Sequence, residues 1–215
     1  MTRGLGLVGT AHHLVPPLLV PVFVAVTSLG SLRLVLPGLA VLYWRWDADR
    51  AAFVASAVLG AFALTFLLKH AFALPRPPES LRLIDAGGYG FPSGHALDST
   101  VTYGALASVA RAGRRRQRVL LAGLVVGLVA CSRVVLGVHY AVDVVAGIAL
   151  GLGYLFVVIE VLDRRVSRGL TVAAALAAAG VVVTGARLDG LLLLGGILAA
   201  LLAWSRRETD RPDRA

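Results

Sequence analysis

The sequence has few charged residues and almost no cysteine or lysine. Only 15 % of its 215 residues are charged and 58 % are apolar, whereas a soluble domain is typically about 25 % charged and about 45–50 % apolar. With a mean hydropathy of +0.81, this composition excludes a soluble enzyme, a disordered chain and a fibrous repeat. The one cysteine, Cys131, can form no disulfide within the chain, and we expect it to pack as a small core residue.

Apolar runs alternate with short charged loops at the spacing expected of helices that cross a hydrocarbon layer about 30 Å thick. The runs predict eight spans in one integral membrane domain, near residues 14–29, 32–44, 51–72, 93–110, 119–136, 139–162, 170–185 and 190–204. The fold class expected is an all-α polytopic helix bundle. Its last two spans form an extra hairpin at about 170–204, followed by a tail at 205–215.

The first and last pairs of spans are short and could be hairpins that lie partly in the membrane interface. The first run contains three prolines and follows Arg3, but no cleavage site of small residues comes after it. We therefore expect a retained, kinked helix rather than a signal peptide.

Basic residues outnumber acidic ones by 21 to 12, for a formal net charge of +9. They cluster at the ends of apolar runs instead of alternating with exposed aromatic residues, so we expect no nucleic-acid partner. Fourteen arginines fall on one side of the eight predicted spans, and six cationic residues fall on the other. The positive-inside rule therefore predicts that the arginine-rich side and both termini are cytoplasmic, in the cell membrane.

Lys69 is the only lysine in the chain, since the other 20 of the 21 basic residues are arginine. A lysine ammonium acts as a compact point charge on a phosphate, a task in which lysine and arginine are not interchangeable. The alternative is that one lysine survived by chance in a biased composition.

Three polar segments are predicted to meet at the arginine-poor side, which would be extracytoplasmic. They contain Lys69 and Arg76, then Pro92, Ser93, Gly94 and His95, and then Ser132, Arg133, His139 and Asp143. Charged groups at a membrane boundary either snorkel or serve a function. A convergence of three cations, two histidines and a carboxylate favours a function.

The cations Lys69, Arg76 and Arg133 would supply the positive charge that a phosphoryl group needs. Ser93 and Gly94 open a predicted helix, so their backbone N–H groups and the positive end of the helix dipole would face an anion.

His139 and Asp143 are four residues apart and share one face of a helix. A carboxylate there can hold the imidazole in one tautomer and leave its other nitrogen free to attack. His95 would then protonate the departing oxygen.

These segments resemble the type 2 phosphatidic acid phosphatase family, which also contains vanadium-dependent haloperoxidases and glucose-6-phosphatase-like enzymes. All three family signatures, K-x6-R-P, P-S-G-H and S-R-x5-H-x3-D, are present between residues 69 and 143. The resemblance implies a six-helix core that extends to about residue 162. It also implies cofactor-free, metal-independent cleavage of a phosphoester through a phosphohistidine on His139, oriented by Asp143, with His95 as the acid. The phosphate-binding residues it implies are Lys69, Arg76, Ser93, Gly94 and Arg133.

Several alternatives remain open at this point. Asp98, one turn after His95, either tunes that histidine, lines the substrate entry or packs against a neighbouring helix. Zinc bound by histidine and aspartate is disfavoured by the three surrounding cations. We expect a lipid-linked substrate: a polyprenyl diphosphate, a phosphatidate or phosphatidylglycerol phosphate. A lipid phosphotransferase and a non-catalytic lipid-phosphate binding or transport protein are the rival functions, and the sequence predicts no oligomeric state.

Overall fold

The computed structural model describes residues 15–45 and 47–210. Within these ranges the chain forms eight α-helices and no strand, which confirms the expected all-α bundle. The helices are α1 (Val20–Ser28), α2 (Leu32–Arg45), α3 (Ala48–Phe72), α4 (Gly94–Val109), α5 (Arg115–Val135), α6 (Ala141–Phe156), α7 (Val166–Thr184) and α8 (Leu188–Thr209). Short 3-10 turns lie at Pro17–Leu19 and Glu79–Leu81, and a π-helical turn, Val157–Val161, extends α6.

The ends of the central helix α3 are set by local sequence. Asp47 precedes it, and the Asp47 carboxylate accepts hydrogen bonds from the N–H groups of Asp49 and Arg50 at 3.1 and 3.3 Å. Such a cap satisfies N–H groups that have no partner within the helix. The helix stops at Ala73, which has a left-handed backbone conformation with φ of 47°.

Contacts between helix termini define two ends of the bundle. Arg50 Nη1 donates to the Val109 carbonyl at 3.0 Å, which joins the start of α3 to the end of α4. Arg207 near the end of α8 lies 3.4 Å from Asp49 and donates to the Tyr43 hydroxyl at 2.6 Å. We call this the arginine end and the opposite end, where α3 stops and α4 begins, the site end.

The first two helices make one broken traverse of the bundle rather than two crossings. They are bent by 46° at a short break. Thr27 in α1 contacts Arg133 at the site end, while α2 runs to Arg45 at the arginine end. At 1.5 Å per residue, the nine-residue α1 is only about 13 Å long and cannot cross a bilayer alone.

Length and composition support fewer spans than the eight expected, although eight helices are present. Five helices are long and apolar enough to span a membrane, and the bent pair can add a sixth. The 16-residue α4 is shorter than a typical span of about 20 residues and lies among the other helices. The predicted cytoplasmic position of the amino terminus relied on an even number of crossings, and it stays a prediction without that support.

The carboxyl-terminal hairpin belongs to the same bundle as the signature segments. Helix α7 packs along most of the length of α3. The two backbones approach closely where a Cβ on Gly169 would lie 2.9 Å from Ser56 Oγ and one on Gly180 would lie 2.7 Å from the Phe66 ring.

The outward faces of the bundle are apolar, as expected for a membrane protein. Exposed residues include large aliphatic side chains on α5 such as Leu120, Leu121 and Leu124. Cys131 is also exposed, so the expectation that it packs in the core is wrong. Hydropathy alone does not separate a core position from a lipid-facing one in a membrane helix.

Candidate active site

One cavity of about 520 Å³ at the site end brings the three signature segments together. Seven of the nine residues singled out from the sequence line it: Lys69, Arg76, Gly94, His95, Asp98, Arg133 and His139. The other two, Ser93 and Asp143, are fully buried behind it. Both histidines therefore face the same space, as a shared phosphoryl ligand requires.

Backbone hydrogen bonds between loops hold the segments in register. The Ser93 N–H donates to the Asp143 carbonyl at 2.9 Å, which joins the start of α4 to the first turn of α6. The Leu83 N–H donates to the Leu136 carbonyl at 3.1 Å, and this bond joins the loop before α4 to the segment before His139.

The hydrogen bond of Ser93 corrects one expectation from the sequence. Its N–H was predicted to face an anion, but it is already donated to a carbonyl. Its hydroxyl is fully buried and has no hydrogen-bond partner among the described residues. Ser93 can therefore reach a ligand through its side chain only.

His139 is held between a cation and a carboxylate and is only 1 % exposed. Arg76 Nη1 lies 3.0 Å from His139 Nε2 and also donates to the Val138 carbonyl at 2.9 Å. Because a guanidinium only donates, Nε2 must accept, and a neutral imidazole then carries its proton on Nδ1. Nδ1 lies 3.6 Å from Asp143 Oδ2, and that oxygen is fixed by the Tyr140 N–H at 3.0 Å.

The charge around His139 selects its neutral form. Burial is the largest cause that lowers the pKa of His139 well below its ordinary value, and the cations Arg76, Arg133 and Lys69 lower it further. At neutral pH Nε2 is therefore unprotonated beside the cavity, and its lone pair can act as a nucleophile once the Arg76 guanidinium that it accepts from moves to a ligand.

Two of the cations are fixed by groups that lie far away in sequence. Arg133 is only 5 % exposed, and its Nη1 donates to Thr27 Oγ1 at 2.8 Å. Lys69 Nζ donates to the Tyr89 carbonyl at 2.7 Å. Thr27 was not identified from the sequence, because nothing local connects it to a residue 106 positions away.

The buried donors of this site are not all satisfied by the protein. Arg133 Nε, like Ser93 Oγ, has no hydrogen-bond partner within the described chain. Leaving a buried polar group unpaired costs about 1–3 kcal/mol. Such donors, next to three cations, suit a ligand rich in acceptor oxygens.

Gly94 lets the lysine approach the start of α4. A Cβ at this position would lie 2.9 Å from Thr65 Cγ2 and 3.4 Å from Lys69 Cε. Any larger residue would clash with Thr65, one turn before Lys69 on α3. The signature glycine thus lets the face of α3 that carries Lys69 lie close to the positive end of the helix dipole.

Asp98 lies in the lining next to these groups and has a partner of its own. Its Oδ1 accepts a hydrogen bond from Thr65 Oγ1 at 2.9 Å. Thr65 was missed in the sequence, although it lies four residues before Lys69 and so on the same helix face. Arg33, in the first turn of α2, also lines the cavity and belongs to none of the three signatures.

Two known proteins resemble this chain over most of its length. The chain is 27 % identical to phosphatidylglycerophosphatase B of Bacillus subtilis (strain 168) over 165 residues, 71 % of this chain and 79 % of the relative. Among solved structures it resembles the crystal structure of a transmembrane PAP2 type phosphatidylglycerolphosphate phosphatase from Bacillus subtilis. That match has a TM-score of 0.66 and 26 % identity, over 74 % of this chain and 83 % of the other.

The family model of the PAP2 superfamily matches residues 50–167. This stretch is more than half of the chain and contains α3 from Arg50 onward, all of α4 to α6 and every residue of the three signatures. The chain belongs to the PAP2 superfamily.

Proposed function

We propose that this protein is a metal-independent phosphatase of lipid-linked phosphates that works through a phosphohistidine on His139. One observation carries the proposal: two imidazoles and three cations line a single cavity, with the Nε2 lone pair of His139 beside it. Because the named relatives are phosphatidylglycerolphosphate phosphatases, phosphatidylglycerol phosphate is the first substrate to test. Phosphatidate and polyprenyl diphosphate are the next.

In the first step His139 Nε2 attacks phosphorus, and the bond from phosphorus to the lipid oxygen breaks. Once the bound phosphate offsets the burial and the cations that disfavour a protonated His95, His95 donates a proton to that oxygen. The lipid then leaves as an alcohol, or as a lipid monophosphate when the substrate is a diphosphate. Arg76 Nη1, which now contacts Nε2, would move to a phosphoryl oxygen. Asp143 stabilises the positive charge that develops on the imidazole.

In the second step water attacks phosphorus and the P–N bond breaks. His95, deprotonated by the first step, accepts the proton of that water, and inorganic phosphate leaves. Lys69, Arg76 and Arg133 stabilise the charge on the equatorial oxygens in both steps, because all three cations line the cavity that would hold the phosphoryl group.

A lipid substrate fits the position of the cavity. Beside its polar groups, the cavity is lined by Leu32 and Phe62 and by residues at the break between α1 and α2. A headgroup at this level could enter from the bilayer between helix ends. If the arginine end is cytoplasmic, as the positive-inside rule indicates, the reaction takes place on the extracytoplasmic side.

The decisive experiment compares His139→Ala with wild-type protein in detergent, measuring phosphate release from the three lipids. We expect a loss of at least about a thousandfold, since a covalent catalyst cannot be replaced by the binding groups alone. His70→Ala is the matched control, because His70 lies outside the cavity and should retain most of the activity. Activity of His139→Ala near the wild-type level would contradict the proposal.

The intermediate and the acceptor can be tested separately. Turnover quenched in base should leave one phosphoryl group on His139, detectable by peptide mass spectrometry, and His95→Ala should change its amount. Chelators should leave turnover intact and vanadate should inhibit it. Transfer to added alcohols instead of water would indicate the phosphotransferase, and binding without turnover of any lipid phosphate would indicate the non-catalytic protein.

A further inference from the structure

A second large cavity lies between α4, α5 and α6 toward the arginine end. Its volume is about 540 Å³ and it shares no lining residue with the catalytic cavity. It exists because α5 and α6 both pack along α4 but hardly touch each other. We call it the inner groove.

Glycines keep the inner groove open. Gly123 and Gly127 on α5 line it, and a Cβ added at either position would meet no heavy atom of the described chain within 4 Å. These two glycines are therefore not explained by close packing between helices, the usual use of glycine in membrane bundles. They leave a channel that a ligand can fill.

The interior of the groove suits hydrocarbon. Most of its lining is aliphatic, and its two hydroxyl groups are already used by the helix that carries them. Thr100 Oγ1 donates to the Ala96 carbonyl at 2.7 Å, and Ser108 Oγ donates to the Ala105 carbonyl at 2.7 Å.

The length of the groove matches one leaflet of a bilayer. Its lining on α5 runs from Arg115 to Gly127, which spans about 18 Å at 1.5 Å per residue. The hydrocarbon core of a bilayer is about 30 Å thick, so one leaflet contributes about half of this.

The mouth of the groove carries a net positive charge. Arg115, Arg118 and Arg164 line it together with one carboxylate, Glu160. Arg118 is held in place by the carbonyls of Ala107 and Gly113 at 3.0 and 3.1 Å. Within residues 15–45 and 47–210, the guanidinium groups of Arg115 and Arg164 form no hydrogen bond or ion pair.

We propose that the inner groove binds one anionic phospholipid from the leaflet at the arginine end. An acyl chain would lie along Gly123 and Gly127, and the phosphate would lie between Arg115 and Arg164. The inference does not depend on the catalytic proposal, because it uses none of the same residues. It assigns the chain a lipid site separate from the one that holds the substrate phosphate.

The test measures phospholipid that remains bound after the purified protein is washed in mild detergent containing phosphatidylglycerol and phosphatidylcholine. Wild-type protein should retain about one phosphatidylglycerol per chain and little phosphatidylcholine. Arg115→Gln with Arg164→Gln should reduce this retention about tenfold, since each cation near the membrane surface contributes to anionic lipid binding. Arg116→Gln with Arg168→Gln, at the same end but outside the lining, is the matched control.

A second variant tests the channel rather than the charge. Gly127→Leu places a side chain in the open space, where its Cβ meets no described atom within 4 Å, and it should also remove the retained lipid. Gly196→Leu on α8, where a Cβ likewise meets no described atom within 4 Å, should not. All variants should retain phosphatase activity, and activity is the check that they are folded.

Three outcomes would overturn the proposal. Retention that is equal for both lipids would mean an unselective hydrophobic surface. Retention unchanged in Gly127→Leu would place the lipid elsewhere. A change of oligomeric state in Gly127→Leu, measured by light scattering, would mean that a second copy of the chain covers the groove.

Discussion

His139 shows how burial and neighbouring cations together prepare one residue for its proposed role. Protonation of its ring would add a fourth positive charge beside Lys69, Arg76 and Arg133. The neutral ring instead accepts a hydrogen bond from Arg76. The same arrangement makes the stability of the protein depend on pH.

We predict that stability decreases as the pH falls below about 6.5, the ordinary pKa of histidine. The pKa of His139 is lowered in the folded state, so in this window the unfolded chain binds a proton that the folded chain does not. One such proton reduces the free energy of unfolding by about 1.4 kcal/mol per pH unit. The melting temperatures of wild type and His139→Asn, measured between pH 7.5 and 5, should vary less steeply with pH in the variant. Identical slopes of melting temperature against pH would contradict the prediction.

The Asp98 carboxylate accepts one side-chain hydrogen bond from the described residues. Its donor is the hydroxyl of Thr65. Thr65→Val keeps the shape of the side chain but leaves the carboxyl without this donor, so we expect a loss of about 1–3 kcal/mol in stability. In a protein that already carries Asp98→Ala, the Thr65→Val substitution should lower the free energy of unfolding much less. Denaturation of the four proteins of this double-mutant cycle measures the coupling, and additive effects would show that the two residues are independent.

The segment between α5 and α6 is the element that places His139, and it depends on Gly137. This glycine has φ of 71°, and a Cβ there would overlap the Leu81 carbonyl oxygen. It therefore fixes both the turn and its contact with the loop from α3 to α4.

We predict that Gly137→Ala lowers both stability and activity, because it adds a clash to the cost of a left-handed residue, which is itself about 1–2 kcal/mol. Gly88→Ala is the matched control. Gly88 has φ of 70°, and its Cβ would meet no described atom within 4 Å, so only the conformational cost applies. Both variants are compared by melting temperature and phosphate release, and equal losses would mean that the contact with Leu81 has no role.

At the scale of the whole molecule, the catalytic core and the carboxyl-terminal hairpin form one packed unit. Helix α3 carries Lys69 at its end and lies between the catalytic helix α4 and the hairpin helix α7. Removal of the hairpin would expose the face of α3 where Ala63 is fully buried in one cluster with Ala173, Ala177 and Ile197 of the hairpin.

We therefore predict that a chain ending at residue 162 does not fold, even though the family signatures all precede this point. Such a chain should aggregate in size-exclusion chromatography and release no phosphate. A chain ending at residue 210 retains α8 and should behave as wild type. A soluble, active protein ending at residue 162 would show that the hairpin is dispensable.

The sequence predicted well what depends on local chemistry. Eight apolar runs gave eight helices with bounds close to those observed, because helix formation in a bilayer follows from the need to satisfy backbone polar groups within each segment. The convergence of the three signatures was also predictable, since short loops alternate between the two ends of a bundle.

Other features could not be derived because they depend on distant parts of the chain. Thr27 beside Arg133, the exposed position of Cys131 and the broken traverse of α1 and α2 are of this kind. Lipid-facing and protein-facing surfaces are equally apolar, so the sequence does not reveal which helix faces which.

By itself, the sequence determined an all-helical membrane protein and the three signature segments that meet in it, because composition and three spaced motifs carry that information locally. Only the tertiary structure decided that the Ser93 N–H is already engaged, that Arg76 accounts for the tautomer of His139, and that a lipid-sized groove opens between α5 and α6. These features depend on which helices approach each other, and that is decided by packing over the whole bundle.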